Sequence, residues 1–473
     1  MIKLYTIYTY KEPIFVQFTD LIFLFAFLPL TILVSFFEKS TEYKNFILII
    51  SSVLFFTWGR KFAVALVLLT FVIDWGLGLA CRKENKKAIR IAALISDAIL
   101  NLGVFVIFER NGIFDSIETF SFIRKLGTLG VAFYCIRGFS YVFDVFTQRT
   151  DAEKNPFCIM TYMVSFPLMA AGPVVRYGDI RSQIRKREIT GTKINDGITR
   201  LVIGLTKLAV LVPVLEKVEL AGLRPEEITI SGSLIGMLCF IAKICCLFAG
   251  WCDTAIGMGR LFGFEYPESF KMFSFRGYVT DLTKSFNSTL WKLGDDVFVS
   301  PLRQKNRILG FIGMLLCGVA VGAFYSGRIN VILAFSAVML FAVLEELFLK
   351  KFFDNIMPLF SWIYSVIVIV FIFAVARFDS ISSLGSWASG LVGGGENYLL
   401  SVALKQAITE NAFVLAAVAV CYLPFARGFF KEKIAMLSSK SNVAYGTIRV
   451  LQTVALCVML VLSIINLAYN AIA

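Results

Sequence analysis

The residues of this chain best able to do chemistry are ionisable side chains inside apolar stretches: Asp74, Asp97, Arg137, Asp144, Asp253, Arg260, Glu345 and Glu346. A charge at membrane depth is costly, so such groups line a cavity, pair with one another or meet a helix end. Arg137 can neutralise Asp144 or bind an anion. Glu345 and Glu346 end an apolar stretch near Lys350 and Lys351, which reads as a solvated helix end. Cys252 and Cys317 offer thiols for covalent catalysis, but a thiol in apolar surroundings is inert without a cationic neighbour. The chain has no histidine in 473 residues, so the one side chain that is acid and base near neutral pH without help is missing. Any mechanism must manage without it.

The ten cysteines form no CxxC pair and, with no histidine, no zinc pattern. Most lie in apolar blocks, where cysteine behaves as a small hydrophobe. No metal and no cofactor is implied.

The elements that must position these groups are membrane helices. Apolar residues make up 58% of the chain and charged residues 17%, against about 25% in a soluble globule. Mean hydropathy is +0.77. Apolar blocks fall at 21–37, 45–58, 62–80, 91–108, 126–146, 157–173, 197–215, 230–262, 308–326, 331–349, 358–376, 411–426 and 448–471. A span needs about 20 mostly apolar residues, and several blocks are too short or too polar to be simple spans. No cleavable signal peptide is evident, and Ile22–Phe37 reads as a retained span.

The net charge of +13 is set by short basic loops. They are Arg82–Arg90, Arg176–Lys193, Arg303–Arg307, Lys350–Lys351 and Arg427–Lys433. The positive-inside rule accounts for this distribution, and it argues against nucleic acid as the partner. Putting every cluster in the cytoplasm predicts that both termini are extracytoplasmic. The stretch 91–173 then holds three blocks where parity needs an even number, so one block should be re-entrant or broken. The stretch 264–307 is polar, charged and aromatic. It reads as interfacial or partly buried helices dipping into a cavity. With no repeat and no soluble segment, 1–473 reads as one transmembrane domain.

Several segments resemble one family in order and spacing. They include Phe27-Leu28-Pro29-Leu30, Phe55-Phe56-Thr57-Trp58-Gly59, Leu126-Gly127-Thr128-Leu129-Gly130-Val131, Ser140-Tyr141-Val142-Phe143-Asp144-Val145 and Gly172-Pro173-Val174-Val175-Arg176-Tyr177. The strongest runs from Ala249-Gly250-Trp251-Cys252-Asp253-Thr254 through Arg260-Leu261-Phe262-Gly263-Phe264 to Pro267-Glu268-Ser269-Phe270. Together they resemble the membrane-bound O-acyltransferases, in the bacterial branch that acylates envelope polysaccharides.

The resemblance implies an all-α polytopic bundle of about eleven spanning helices, with re-entrant or interfacial helices, around a cavity open to both membrane faces. It also implies a cytosolic acyl thioester donor or acyl-carrier protein, membrane lipids and envelope polysaccharide machinery as partners. The family carries two histidines. Their places fall at Asn287, in Leu282-Thr283-Lys284-Ser285-Phe286-Asn287, and at Val321, in Gly318-Val319-Ala320-Val321-Gly322-Ala323. In the family the second acts as the base on the acceptor hydroxyl. Valine cannot accept a proton, and an amide is no useful base.

The resemblance therefore implies a degenerate member that keeps the scaffold. An active enzyme without histidine and a lipid-handling or transport protein using the same cavity remain open. Candidate cavity residues are Asp253, Gly250, Trp251, Asp144, Arg137, Pro173, Arg176, Asp296 and Cys317. The glycines at 250, 257, 259 and 263 can line a tunnel for an acyl tail or permit close helix packing. Pro173 and the basic run after it can meet donor phosphates or form a plain positive-inside loop.

Overall fold

The computed structural model describes residues 18–58, 63–109, 131–169, 172–224, 227–271, 278–326, 328–349, 352, 358–393, 400–422 and 442–472. The regular elements among them are helical. The motif at Leu126–Gly130, Ala171 and the basic pairs at Lys350–Lys351 and Arg427–Lys433 lie outside the described residues.

Among the described residues, seven helices are long and apolar enough to cross a membrane. Phe23–Ser35 and Val64–Ala80 are shorter apolar helices. The apolar side chains they leave exposed, such as Ile99, Leu102, Phe371 and Leu451, are those a lipid-facing surface needs. The chain is an all-α membrane protein. It divides into two compact units. One takes in 18–204, Trp251–Glu268 and 470–472; the other is Leu205–Gly250 with Ser269–Tyr469.

The first unit is built on α1 (Phe23–Ser35), α2 (Thr41–Thr57), α3 (Ala63–Ala80), α4 (Lys87–Glu109) and α5 (Val131–Phe146). Short helices α6 (Pro156–Val164) and α7 (Tyr177–Arg185) follow. The long helices α8 (Gly191–Gly222) and α9 (Ile230–Leu261) contribute to both units. Ser40 and Asn155 accept backbone N–H groups at the starts of α2 and α6, which satisfies donors a helix start leaves open. Pro213 has no N–H to give the preceding turn, and α8 widens into a π turn at Lys207–Leu211 just before it. The phenylalanine-rich composition becomes a core. Phe18 stacks on Phe55 at 5.0 Å, Phe23 meets Phe166 edge-on at 5.9 Å, and Phe166 meets Phe262 at 5.6 Å.

The block at 157–173 is broken. Helix α6 stops at Val164, a single 3₁₀ turn follows at Phe166–Leu168, and the chain is extended by Arg176. It returns to where it began. Glu153, just before α6, accepts from the Tyr177 hydroxyl and from Arg185, each at 2.7 Å. The non-helical backbone is held by protein. Phe166 N–H donates to Ser52 Oγ at 3.0 Å, and the Tyr162 hydroxyl donates to the Val175 carbonyl at 3.0 Å. Irregular backbone at membrane depth is tolerated on those terms.

The second unit contains α10 (Thr280–Ser285) and α11 (Ser288–Gly294), then α12 (Arg307–Tyr325), α13 (Ile329–Leu349) and α14 (Pro358–Arg377). The helices α15 (Ile381–Leu391), α16 (Val402–Glu410), α17 (Ala412–Tyr422) and α18 (Asn442–Ile472) complete it. α15 and α16 were not expected. They are short and half-polar, so hydropathy alone passes over them. A charge network ties three of the long helices. Glu219 takes Arg377 Nε at 2.6 Å and Lys243 Nζ on its other oxygen, and Glu216 stands 3.6 Å from the same lysine.

Candidate functional site

Helix α12 places Cys317, Val321 and Tyr325 on one face, at successive spacings of four residues. All three are buried. α11 packs against this face at Gly294, where an added Cβ would come to 2.5 Å from Cys317 Sγ and 3.9 Å from Val321 Cγ2. Asn287 stands at the start of α11, buried and in the left-handed region at φ 49°. Asparagine tolerates that conformation better than most residues.

Every polar atom of the Asn287 side chain is engaged. Its oxygen accepts from Ser269 Oγ at 2.8 Å and Thr289 Oγ1 at 3.3 Å, and its amide nitrogen donates to the Tyr325 hydroxyl. Aromatic rings close around this network. Phe248 meets Phe286 at 4.8 Å and Tyr325 at 5.0 Å, and Phe335 stacks on Tyr325 at 5.2 Å.

Of the two sequence-derived catalytic positions, Asn287 bonds Tyr325, and Val321 lies one turn before that tyrosine on α12, with Cys317 one turn further along. Sequence reading missed Tyr325 and Ser269 as members of this site. The spacing of four residues from Val321 was the signal that could have found the tyrosine. Asp296 is half-buried in the π turn Asp295–Val299 that continues α11.

Glu345 corrects the expectation of a solvated helix end. It is buried and turns inward from α13, accepting from Val279 N–H at 2.6 Å and from Thr280 N–H and Oγ1 at 3.1 and 2.9 Å. It caps the start of α10 and so fixes the segment that carries Asn287. Glu346 does face outward, to Arg303 at 2.8 Å. Of the polar stretch at 264–307, the described residues hold α10, α11 and the π turn after it, with Leu290, Trp291 and Leu293 buried.

The remaining candidates belong to the first unit, apart from Gly250, which is buried in α9 and ends the Leu205–Gly250 segment of the second. Asp144 is buried and paired with Arg176 at 3.0 Å. Arg137 is not its partner. Two residues seven apart on a helix lie about 10 Å apart along its axis. Arg137 instead donates to the carbonyls of Tyr162 at 2.9 Å and Phe133 at 3.3 Å, and to Met169 Sδ. It therefore serves the C-terminal end of α6, where a cation is favoured.

Asp253 is matched by Arg200, Nε to Oδ1 at 2.5 Å, and the same guanidinium takes Glu268 bidentately at 2.7 and 2.6 Å. Trp251 is buried with no partner for its indole N–H, and Pro173 is buried in the extended stretch before Arg176. Gly257 and Gly259 pack closely. Added Cβ atoms would strike the Leu201 backbone at 2.7 Å and the Tyr266 ring. Close packing, not a tunnel, explains those two glycines.

No family model matches the chain. Curated relatives do. The probable alginate O-acetylase AlgI of Pseudomonas syringae pv. tomato is 28% identical over 326 residues, covering 65% of this chain and 62% of that protein. The chain resembles the membrane-bound O-acyltransferases. The AlgI of Pseudomonas aeruginosa is likewise 28% identical over 328 residues, with 65% and 62% covered. A peptidoglycan O-acetyltransferase of Helicobacter pylori is 21% identical over 349 residues, with 65% and 66% covered. The chain spans a little under two thirds of the length of these relatives.

Proposed function

We propose that this chain keeps the scaffold of a membrane O-acyltransferase of envelope polysaccharides and has lost its acyl-transfer chemistry. Acyl transfer forms a bond from the acceptor oxygen to the acyl carbon and breaks the carbon–sulfur bond of the thioester. The hydroxyl proton must pass to a base. The observation that carries the proposal is that the base position is a buried valine, while its neighbour Asn287 has its amide committed to Ser269, Thr289 and Tyr325. Loss of a general base costs about 10²–10⁴-fold in rate. Cys317 does not replace it: it is buried against Gly294.

The role left to the scaffold is binding, with membrane lipids, an acyl donor or carrier protein, and polysaccharide-modifying machinery as the partners. The basic clusters face the cytoplasm and both termini face outward in this reading.

A second reading has one observation in its favour: the Tyr325 hydroxyl bonds Asn287, and Tyr325 shares a buried face of α12 with Val321. As a hydrogen-bond donor it could stabilise an oxyanion in an enzyme without histidine.

Thiol release from a panel of acyl thioesters by the purified chain in detergent separates the two. The proposal expects no release above buffer, with a stabilising thermal shift from the bound donor. Release that is lost in Tyr325→Phe would overturn it in favour of the second reading. Asn287→His with Val321→His tests whether the scaffold can be returned to turnover.

A further inference from the structure

Asp74 on α3 and Asp97 on α4 are both fully buried. They are seven residues from the two ends of one turn. Cys81 and Arg90 mark that level, with Arg90 Nε donating to the Cys81 carbonyl at 3.2 Å. Equal spacing along antiparallel helices puts the two carboxyls opposite each other, about 10 Å into the apolar layer. Arg90 also donates to the Phe146 carbonyl at 2.6 Å, and Gly138 lies eight residues before Phe146 on α5. Three helices thus meet at one depth.

The local chemistry is short of a positive charge. One amide, Asn101 Nδ2, touches both carboxyls, at 3.1 Å from Asp74 Oδ1 and 3.3 Å from Asp97 Oδ1. The other oxygen of each, Asp74 Oδ2 and Asp97 Oδ2, is buried with no donor. The Asn101 side-chain oxygen turns toward the same point. A Cβ on Gly138 would come to 3.0 Å from it and would collide with Asp74 Oδ2.

Among the described residues, the packed neighbours supply no cation. On α5, Tyr134 donates to the Val67 carbonyl, and the Arg137 nitrogens go to Phe133, Tyr162 and Met169. On α6, Tyr162 donates to Val175. Arg90 is spent on Cys81 and Phe146, and Cys81 faces the Arg90 carbonyl. The ionisable groups of α2, Glu42, Tyr43 and Lys44, all lie in its first turn.

We propose that Asp74 and Asp97 form an intramembrane proton-binding site, holding one proton between their two donorless oxygens. Two carboxylates this close cannot both be charged in an apolar setting, and a single proton gives each orphaned oxygen a partner. It needs no cavity. It also makes the packing of α3, α4 and α5 depend on that proton. An unfolded chain with ordinary carboxyls releases it above about pH 4, so raising the pH weakens the folded chain.

The test is infrared spectroscopy of the purified full chain in detergent at pH 7, with thermal unfolding from pH 6 to 9. The expected result is a protonated-carboxyl stretch that shifts on deuteration, moves in Asp74→Asn and in Asp97→Asn, and is lost when both are replaced. The melting temperature falls with rising pH in the unmodified chain and is flat in the double variant. Absence of that stretch in the unmodified chain overturns the proposal without recourse to any variant. Stabilisation by sodium over choline, again with no protonated-carboxyl stretch, overturns it in favour of a metal cation.

Discussion

Asn287 donates its side-chain amide to the hydroxyl of Tyr325, so the left-handed start of α11 is tied to the end of α12. The tie fastens the start of that short helix to the helix that carries Cys317 and Val321. A buried asparagine with its oxygen and nitrogen both engaged is a fixed structural element, not a group waiting for substrate.

Removing the hydroxyl tests that tie. Tyr325→Phe leaves the Asn287 amide buried without its acceptor, which costs about 1–3 kcal/mol. Thermal unfolding in detergent should show the loss. A melting temperature equal to that of the unmodified chain would mean that the amide finds another acceptor.

Glu345 makes a separable demand. Glu345→Ala orphans the N–H groups of Val279 and Thr280 at once. Hydrogen exchange at 278–285 should speed up by more than tenfold, with α12 unaffected. Uniform protection across both regions would contradict a local capping role.

Arg200 joins Asp253 of α9 to Glu268 in the segment beyond it. Arg200→Ala strands a buried carboxylate and should cost about 3–5 kcal/mol, far more than Glu268→Ala at the exposed end of the triad. A second substitution, Asp253→Asn, should recover much of the loss. If the double variant is no more stable than Arg200→Ala alone, the guanidinium acts through packing and not through charge.

Acid stability turns on Glu153. Burial opposes its charge, but hydrogen bonds from Tyr177, the Asn155 amide and Arg185 outweigh that, and the group titrates below its ordinary 4.5. The unfolded chain therefore takes up this proton first. The contribution is complete above 4.5 and is lost as the pH falls through the lower folded value. Glu153→Gln should be less stable at neutral pH and should lose less on acidification. Parallel melting curves against pH would refute the assignment.

Much of the fold was legible because apolar blocks of span length leave few alternatives. The blocks at 308–326 and 331–349 became α12 and α13 nearly residue for residue. Charge parity asked for one break among the three blocks of 91–173 without saying which; the structure shows the break in 157–173. The site was less so. Glu345 was misread because Lys350 and Lys351 nearby in sequence suggested water, whereas its side chain is buried against the start of α10. Arg137 and Asp144 share a helix, but the true partner of Asp144 is Arg176, thirty-two residues along the chain. Tyr325 carries no motif of its own, and its role exists only once α11 has folded against α12.

The segment between Glu153 and Tyr177 has a consequence for how the protein is made. Its nine-residue helix is too short to cross a bilayer, and its non-helical turn depends on Ser52 and Arg137 for hydrogen bonds. It has no stable place in lipid until α2 and α5 are there to receive it. Insertion cannot proceed as a simple succession of independent spans. This stretch must wait near the membrane surface and enter late, as a guest of helices already assembled.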